Sequence, residues 1–309
     1  MAHRPPPPRT YSKSPKRVIK LAQQVARALP PYFSRFSRKD FTIQQLLPLL
    51  VLRVQFDLGY RAVHAMVADL DCIAQWLGLT RVPHYSTLCR AAARLATCFS
   101  ILFDRVVRMA QAAGLFRRPA TLAIDCSGCE DRHTSKYYAA RCRGEPAQQR
   151  YWTKLAVACD TRTHFFVGIL ALRAPGNECG LWKPLLAQAC ARIKVAKCLG
   201  DAGFDSEENH AFAREVLKVP GTCIALNPRN HGRRTPQTRY RREMHSQFPL
   251  RTYRQRSHVE SAFSQHKRAL SSDLTARSER TRISEVLLRG LTHNILLLQR
   301  RKGLQQSPP

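Results

Sequence analysis

The hydrophobic period of this chain changes once, after Pro119, and that change limits the folds open to it. Across residues 18–115 apolar side chains recur at three- and four-residue spacing, the period of helices that bury one face. Residues 41–56 carry this pattern with Pro48 as a candidate kink. Helices at 60–70 and 72–77 follow, then a turn at 78–83. Ser86 reads as the N-cap of a short basic helix, 87–95, that carries Arg90 and Arg94. A helix, a Gly-containing turn and a basic helix fit a helix-turn-helix, and equally fit an ordinary helical bundle.

Beyond Pro119 the apolar residues fall into short runs. Residues 120–125, 151–160 and 164–173 read as strands, the last two joined as a hairpin at Thr161-Arg162-Thr163. A helix at 181–193, a buried strand at 195–199, a helix at 206–217 and a fifth strand at 222–226 follow. Glu207 and Glu208 suit the first turn of the 206–217 helix. Residues 227–251 read as a loop and lead into a further helix. The last helix, 282–300, places Ile283, Val286, Leu287, Leu291, Ile295 and Leu298 on one stripe that packs on the core. The order is three strands, helix, strand, helix, strand, helix, after a helical region.

The helix after the loop carries Tyr253-x-x-Arg256-x-x-x-Glu260-x6-Lys267. Read as one continuous helix, these spacings bring an aromatic ring, a guanidinium, a carboxylate and an ammonium to one face. Thr252 followed by Gln255 fits a capping box at its start, and Pro249 ends any earlier element. Such a face suits a metal ion beside a phosphate backbone better than it suits a core.

Composition points to the same partner. The chain has 309 residues, with 51 Lys and Arg against 21 Asp and Glu, a formal charge of +30. That excess favours a polyanion, with binding weakened by salt. The stretch from Arg229 to Arg256 holds nine arginines and one acid, Glu243, a density suited to tracking a DNA backbone. Arg233, Arg234, Arg241 and Arg242 are its candidate contacts. Residues 1–17, with Pro5 to Pro8 and several cations, read as a disordered basic arm.

No run of about 20 apolar residues stands out, so no membrane span is expected. The basic N-terminal stretch lacks the apolar centre of a secretory signal. Eleven scattered cysteines fit reduced thiols and a cytoplasmic location, nucleoid-associated where the polyanion is DNA. Cys126-x-x-Cys129, with His133 and Cys142, invites a zinc reading, but the spacing is not that of a standard site. These cysteines read as small residues packed behind Asp125. No G-x-x-x-x-G-K-[ST] is present, so no nucleotide cofactor is expected.

The Tyr253, Arg256, Glu260 and Lys267 spacing resembles the Y-R-E-K signature of DDE transposases from bacterial insertion sequences. Gly200-Asp201-Ala202-Gly203-Phe204 resembles that family's second-aspartate segment. Residues 120–125, an apolar run ending in Asp125, are similar to its first-aspartate strand. The resemblance covers about residues 120–301. It implies an α/β, ribonuclease H-like catalytic core, a mixed five-stranded sheet with helices, over residues 119–301, with the basic loop at 227–256 and a tail at 302–309. An all-helical DNA-binding region over 18–115 precedes that core. It also implies that Asp125, Asp201 and Glu260 are catalytic and hold two Mg²⁺ ions, for which Mn²⁺ can substitute. Tyr253, Arg256 and Lys267 would contact DNA near the scissile phosphate. The expected partners are double-stranded DNA, as element ends and target, and a second copy of the chain when DNA is bound.

Each residue also has an ordinary reading. Asp125 could end a strand and Asp201 could cap a turn with Gly203. Glu260 could be a solvated charge paired with Arg256. Asp205 competes with Asp201 and reads as the cap of the next helix. At the level of function, two alternatives to a transposase stand. One is a non-transposing nuclease of the same fold. The other is a non-catalytic DNA-binding protein derived from a transposase. The gap of 59 residues between Asp201 and Glu260 leaves little room for the large β-insertion that some of these transposases carry.

Overall fold

The computed structural model describes residues 14–132, 152–227 and 235–304. Six helices come first: α1 (Pro15–Ala26), α2 (Ile43–Gln55), α3 (Tyr60–Asp69), α4 (Asp71–Leu77), α5 (Tyr85–Leu95) and α6 (Phe99–Ala112). α1 starts at Pro15, so the end of the expected basic arm is helical. Proline suits that first position, where its missing N–H would have no partner anyway. α5 starts before the expected Ser86, because the His84 ring accepts the Ser86 N–H and makes His84 the cap.

The run Tyr85–Ala112 is long and apolar enough, by length and composition alone, to cross a membrane. The sequence expectation had found no such span. A 3-10 turn at Ala96–Cys98 interrupts the run, and Leu88, Leu95, Phe103 and Val106 bury one side of it in the protein core.

The sheet follows. Its strands are β1 (Ala120–Asp131), β2 (Trp152–Asp160), β3 (Phe166–Ala174), β4 (Val195–Gly200) and β5 (Gly221–Ile224), in the order β3-β2-β1-β4-β5. The first three are antiparallel; β4 and β5 run parallel to β1. This mixed α/β sheet is consistent with a ribonuclease H-like core. A sixth strand, β6 (Asp273–Leu274), pairs with the far end of β1 and replaces the expected count of five. β1 is also twice the expected length. The expected strand stops at Asp125, yet Cys126 to Cys129 keep their ladder with β2. Asp125 therefore sits in mid-strand, not at a strand end.

α7 (Trp182–Arg192) and α11 (Glu279–Leu304) cover opposite faces of β3. Gly168 admits α7 so closely that a Cβ there would lie 2.5 Å from the Leu185 carbonyl oxygen, while the adjacent Ile169 meets Gly290 of α11. Val286, Leu291, Ile295 and Leu298 of the expected stripe are fully buried. Each such side chain contributes about 1.5–3 kcal/mol. Asn294 bonds both backbone groups of Phe166, donating to its carbonyl at 2.8 Å and accepting its N–H at 3.0 Å. α11 also packs against α1, α2, α5 and α6, so the helical region and the sheet share one hydrophobic core. A buried ionic group joins them. Glu285 accepts from Arg289 at 2.9 Å and lies 3.7 Å from Arg53 of α2.

Two further expectations change in the segment after β4. α8 (Glu207–Ala211) continues as a π-turn at Phe212–Val216, and its cap is Ser206, not Asp205. The stretch read as a loop holds a helix, α9 (Arg239–Ser246). Tyr240 and Met244, four residues apart, are its buried stripe. The Glu207 carboxylate accepts the Tyr240 and Arg241 N–H groups at 3.0 and 3.1 Å and so caps α9 from another helix.

Candidate active site

The register of β1 and β4 builds the site. Ile124 pairs with Gly200 across two parallel strands, and the next residue on each is Asp125 and Asp201. β4 ends there. The chain turns through Ala202–Phe204, and Asp201 caps this turn by accepting the Gly203 N–H at 2.9 Å. The ordinary reading of Asp201 as a turn cap thus holds for one oxygen.

The third carboxylate comes from beyond β5. The motif helix is not continuous. A helical turn at Leu250–Tyr253 passes into a 3-10 turn at Arg254–Arg256, and α10 (Ser257–Leu270) then begins. The expected capping box is absent, since the Thr252 N–H goes to the Pro249 carbonyl at 2.9 Å. Three residues per turn in the 3-10 segment stack Tyr253 above Arg256, and the two side chains share a hydrogen bond. Arg256 then spans the gap to the sheet. It donates to Asp125 Oδ2 at 3.3 Å and to Glu260 Oε1 at 2.5 Å. Asp125 is mostly buried and Glu260 is exposed.

Two residues that sequence reasoning missed complete this group. Glu178, between β3 and α7, accepts from the buried Lys154 of β2 at 2.6 Å. A Cβ built on Gly203 would lie 3.0 Å from Asp201 Oδ1 and 3.6 Å from Glu178 Oε2, so both carboxylates border the same space. No spacing rule could have found Glu178, because its approach depends on how the β3–α7 connection folds back. Asp125 registers this crowding. Its pKa is pushed up to about 6, first by burial and then by the nearby charges of Asp201 and Glu178, against the Cys126 N–H bond and Arg256, which lower it.

Other candidate residues lie apart from this group. Lys267 is two turns beyond Glu260 on α10, where its charge acts on Cys129. Arg241 forms a two-bond ion pair with the fully buried Asp205, at 2.8 and 2.9 Å, and Asp205 also accepts the Asn227 N–H. Both residues thus tie α9 to the turn after β4. Arg242 donates to the Gln237 carbonyl at 2.7 Å. Arg233, Arg234, His133 and Cys142 lie outside the described residues. Arg90 and Arg94 are on α5, far along the chain; both line a cleft of about 890 Å³ with Phe33, Phe36 and Arg38. Burial drives the Cys126 thiol up to about 12, so it is not a ready metal-binding thiolate.

Comparison with protein families finds a match to the transposase DDE domain over residues 119–295. The chain belongs to this family. Comparison with curated proteins finds no match. The matched span contains every strand of the sheet and all three carboxylates, so a transposase-like function for this family member rests on the segment just described.

Members of this family typically use divalent metals. Among the described residues no three Asp, Glu, His or Cys side chains already close around one point. The Arg256 guanidinium lies between Asp125 and Glu260 and donates to both. The donor set nonetheless fits hard cations: every acidic side chain there offers oxygen, and the guanidinium stands as a cation between two of them.

Proposed function

We propose that this chain is the transposase of an insertion sequence: it binds the element's terminal inverted repeats, cuts at the ends and joins the freed 3′-hydroxyls to target DNA. The observation that carries this reading is that Arg256 bridges Asp125 and Glu260, with Asp201 one step beyond the β4 partner of Ile124, in a member of the transposase DDE domain family. Asp125, Asp201 and Glu260 would hold two Mg²⁺ ions, with Mn²⁺ as a substitute. When bound, such ions supply Lewis-acid activation of a water or 3′-hydroxyl and stabilise the leaving oxygen.

The chain's own side chains do the rest. The rigid β1–β4 pair fixes Asp125 and Asp201, while the more exposed Glu260 closes from α10. Arg256 exchanges its carboxylates for a DNA phosphate, which its planar guanidinium can grip with two bonds. Tyr253 is placed to stack on a sugar or base. Lys267, two turns along α10, adds a point charge for the backbone. Arg90 and Arg94 take phosphates in the α5 cleft, where the exposed Phe36 ring is available for stacking. Arg233, Arg234 and Arg242 add backbone contacts, whereas the ion pair to Asp205 leaves Arg241 mainly structural. Holding two ends together requires at least a homodimer on DNA, in the nucleoid of the cytoplasm.

One observation favours a second reading, a DNA-binding protein without catalysis. It is that Asp125 and Glu260 each pair with Arg256 and Asp201 caps a turn, roles that carboxylates fill without a metal. End-binding and cleavage assays on DNA carrying the element's own ends separate the two. Asp125→Ala and Asp201→Ala should each bind ends as wild type does and fail to cut them. A wild-type protein that binds ends and cuts none under Mg²⁺ or Mn²⁺ would establish the second reading.

A further inference from the structure

We propose that the cleft between α5 and the α1–α2 connection binds unpaired DNA, with a base stacked on Phe36 and its phosphates held by arginines. This inference rests on the reading of Arg90 and Arg94 as DNA contacts. It goes further by naming the form of DNA the cleft takes, a single strand and not a duplex.

Three observations carry it. First, Phe36 is 82% exposed, more than any other large apolar side chain among the described residues. The ring borders the cleft of about 890 Å³, a volume within the roughly 300–1,000 Å³ of ligand-sized sites. Second, rings and cations alternate along the connection, as Phe33, Arg35, Phe36 and Arg38. The Arg35 guanidinium lies 4.6 Å from the centre of the Phe36 ring, and Arg94 of α5 lies 5.7 Å from that of Phe33. Each ring thus holds a cation by its π face. The exposure of Phe36 leaves its other face open. Third, the charge of the cleft is unbalanced. Asp40 is the one acid that lines it, and Arg81 holds that carboxylate at 2.5 Å. Among the described residues no carboxylate pairs with Arg38, Arg90 or Arg94, and all three are exposed. A second copy of a chain of charge +30 suits such a cleft poorly; a polyanion suits it well.

The rings decide between duplex and single strand. In a duplex each base has its faces covered by its neighbours in the stack, so an aromatic side chain meets only edges and backbone. An unpaired base offers a face. A basic groove with aromatic platforms holds single strands with little regard to sequence. The phosphates beside the stacked base then fall to the planar guanidinium groups around it.

The test measures binding of full-length protein to three labelled DNAs of equal length by fluorescence anisotropy. They are a thymidine strand, an abasic strand with the same phosphates, and a duplex. Phe36→Ala should weaken binding of the thymidine strand about tenfold, the loss of one base–aromatic stack. Binding of the abasic strand and of the duplex should stay as in wild type. Phe36→Trp should keep the affinity, and the fluorescence it adds should fall when the thymidine strand binds. Arg90→Ala should weaken the thymidine and abasic strands alike, with a salt slope reduced by about 0.7 for each phosphate lost. An unchanged affinity in Phe36→Ala, or an equal loss on all three DNAs, would overturn the proposal. Wild type that binds the duplex and not the thymidine strand would also overturn it, and would leave Arg90 and Arg94 as duplex contacts. Wild type that binds none of the three would overturn both readings.

Discussion

Asp125 and Asp201 step off adjacent parallel strands at the same register position, one residue beyond the Ile124–Gly200 pair. Two carboxylates brought together by the sheet itself cannot relax apart as surface charges do. Burial first, and then the nearby charges of Asp201 and Glu178, raise the folded pKa of Asp125 to about 6, above the ordinary 3.8. The folded state therefore binds this proton more tightly than the unfolded state. Stability from it is present below about pH 4 and is lost as pH rises through 6.

Asp125→Asn should accordingly raise the stability of metal-free protein at pH 7.5, by about 1–2 kcal/mol, although it also weakens the Arg256 contact. The gain should vanish below pH 4. Thermal melts of both proteins across this pH range, with a chelator present, check the sign. Lower stability of the variant at pH 7.5 would mean that the Arg256 pair outweighs the crowding.

Arg256→Ala should weaken DNA binding and reduce the slope of log K against log salt by about one. Its partners Asp125 and Glu260 keep their own positions on β1 and α10. Filter binding at several salt concentrations measures this. An unchanged slope would show that Arg256 stays with its carboxylates when DNA is bound.

Arg241→Ala should behave in the opposite way. It strands the buried Asp205 carboxylate and should cost about 3–5 kcal/mol of stability. The DNA salt slope of whatever folded protein remains should match wild type. Denaturant melts and the same binding series separate this role from a phosphate contact.

Acid should destabilise the protein through two buried histidines. Burial holds His210 and His293 at about 4, well below 6.5. In both cases the unfolded chain takes up the proton first. Their contribution is complete above pH 6.5 and is lost as pH falls towards 4, by up to about 3 kcal/mol for each. His210→Gln should melt with a flatter pH profile between 6.5 and 4 than wild type.

Much of the fold is legible in the sequence. The change of period after Pro119 marks the passage from helices to sheet, and the order of elements along the chain follows from apolar runs between helices. Asp125, Asp201 and Glu260 stand out as candidates because segments resembling family motifs surround them. What escaped had physical causes. Residues 126–131 lack the apolar run that marks a strand, and their pairing with β2 and β6 makes them one. α9 hides in an arginine-rich stretch because two buried side chains, Tyr240 and Met244, suffice to dock a helix of eight residues. Arg241 reads as a DNA contact until Asp205 is found beneath it. Glu178 and Lys154 carry no spacing signal, since their approach to Asp201 is a product of the tertiary fold.

The most direct measurement uses linear DNA bearing the element's own ends, a supercoiled target and Mg²⁺, with wild type beside Glu260→Gln. Wild type should cut the ends and join them to the target, and Glu260→Gln should bind the ends equally well yet yield neither product. Joining by Glu260→Gln at the wild-type rate would contradict the assignment of Glu260 and of the site built around it.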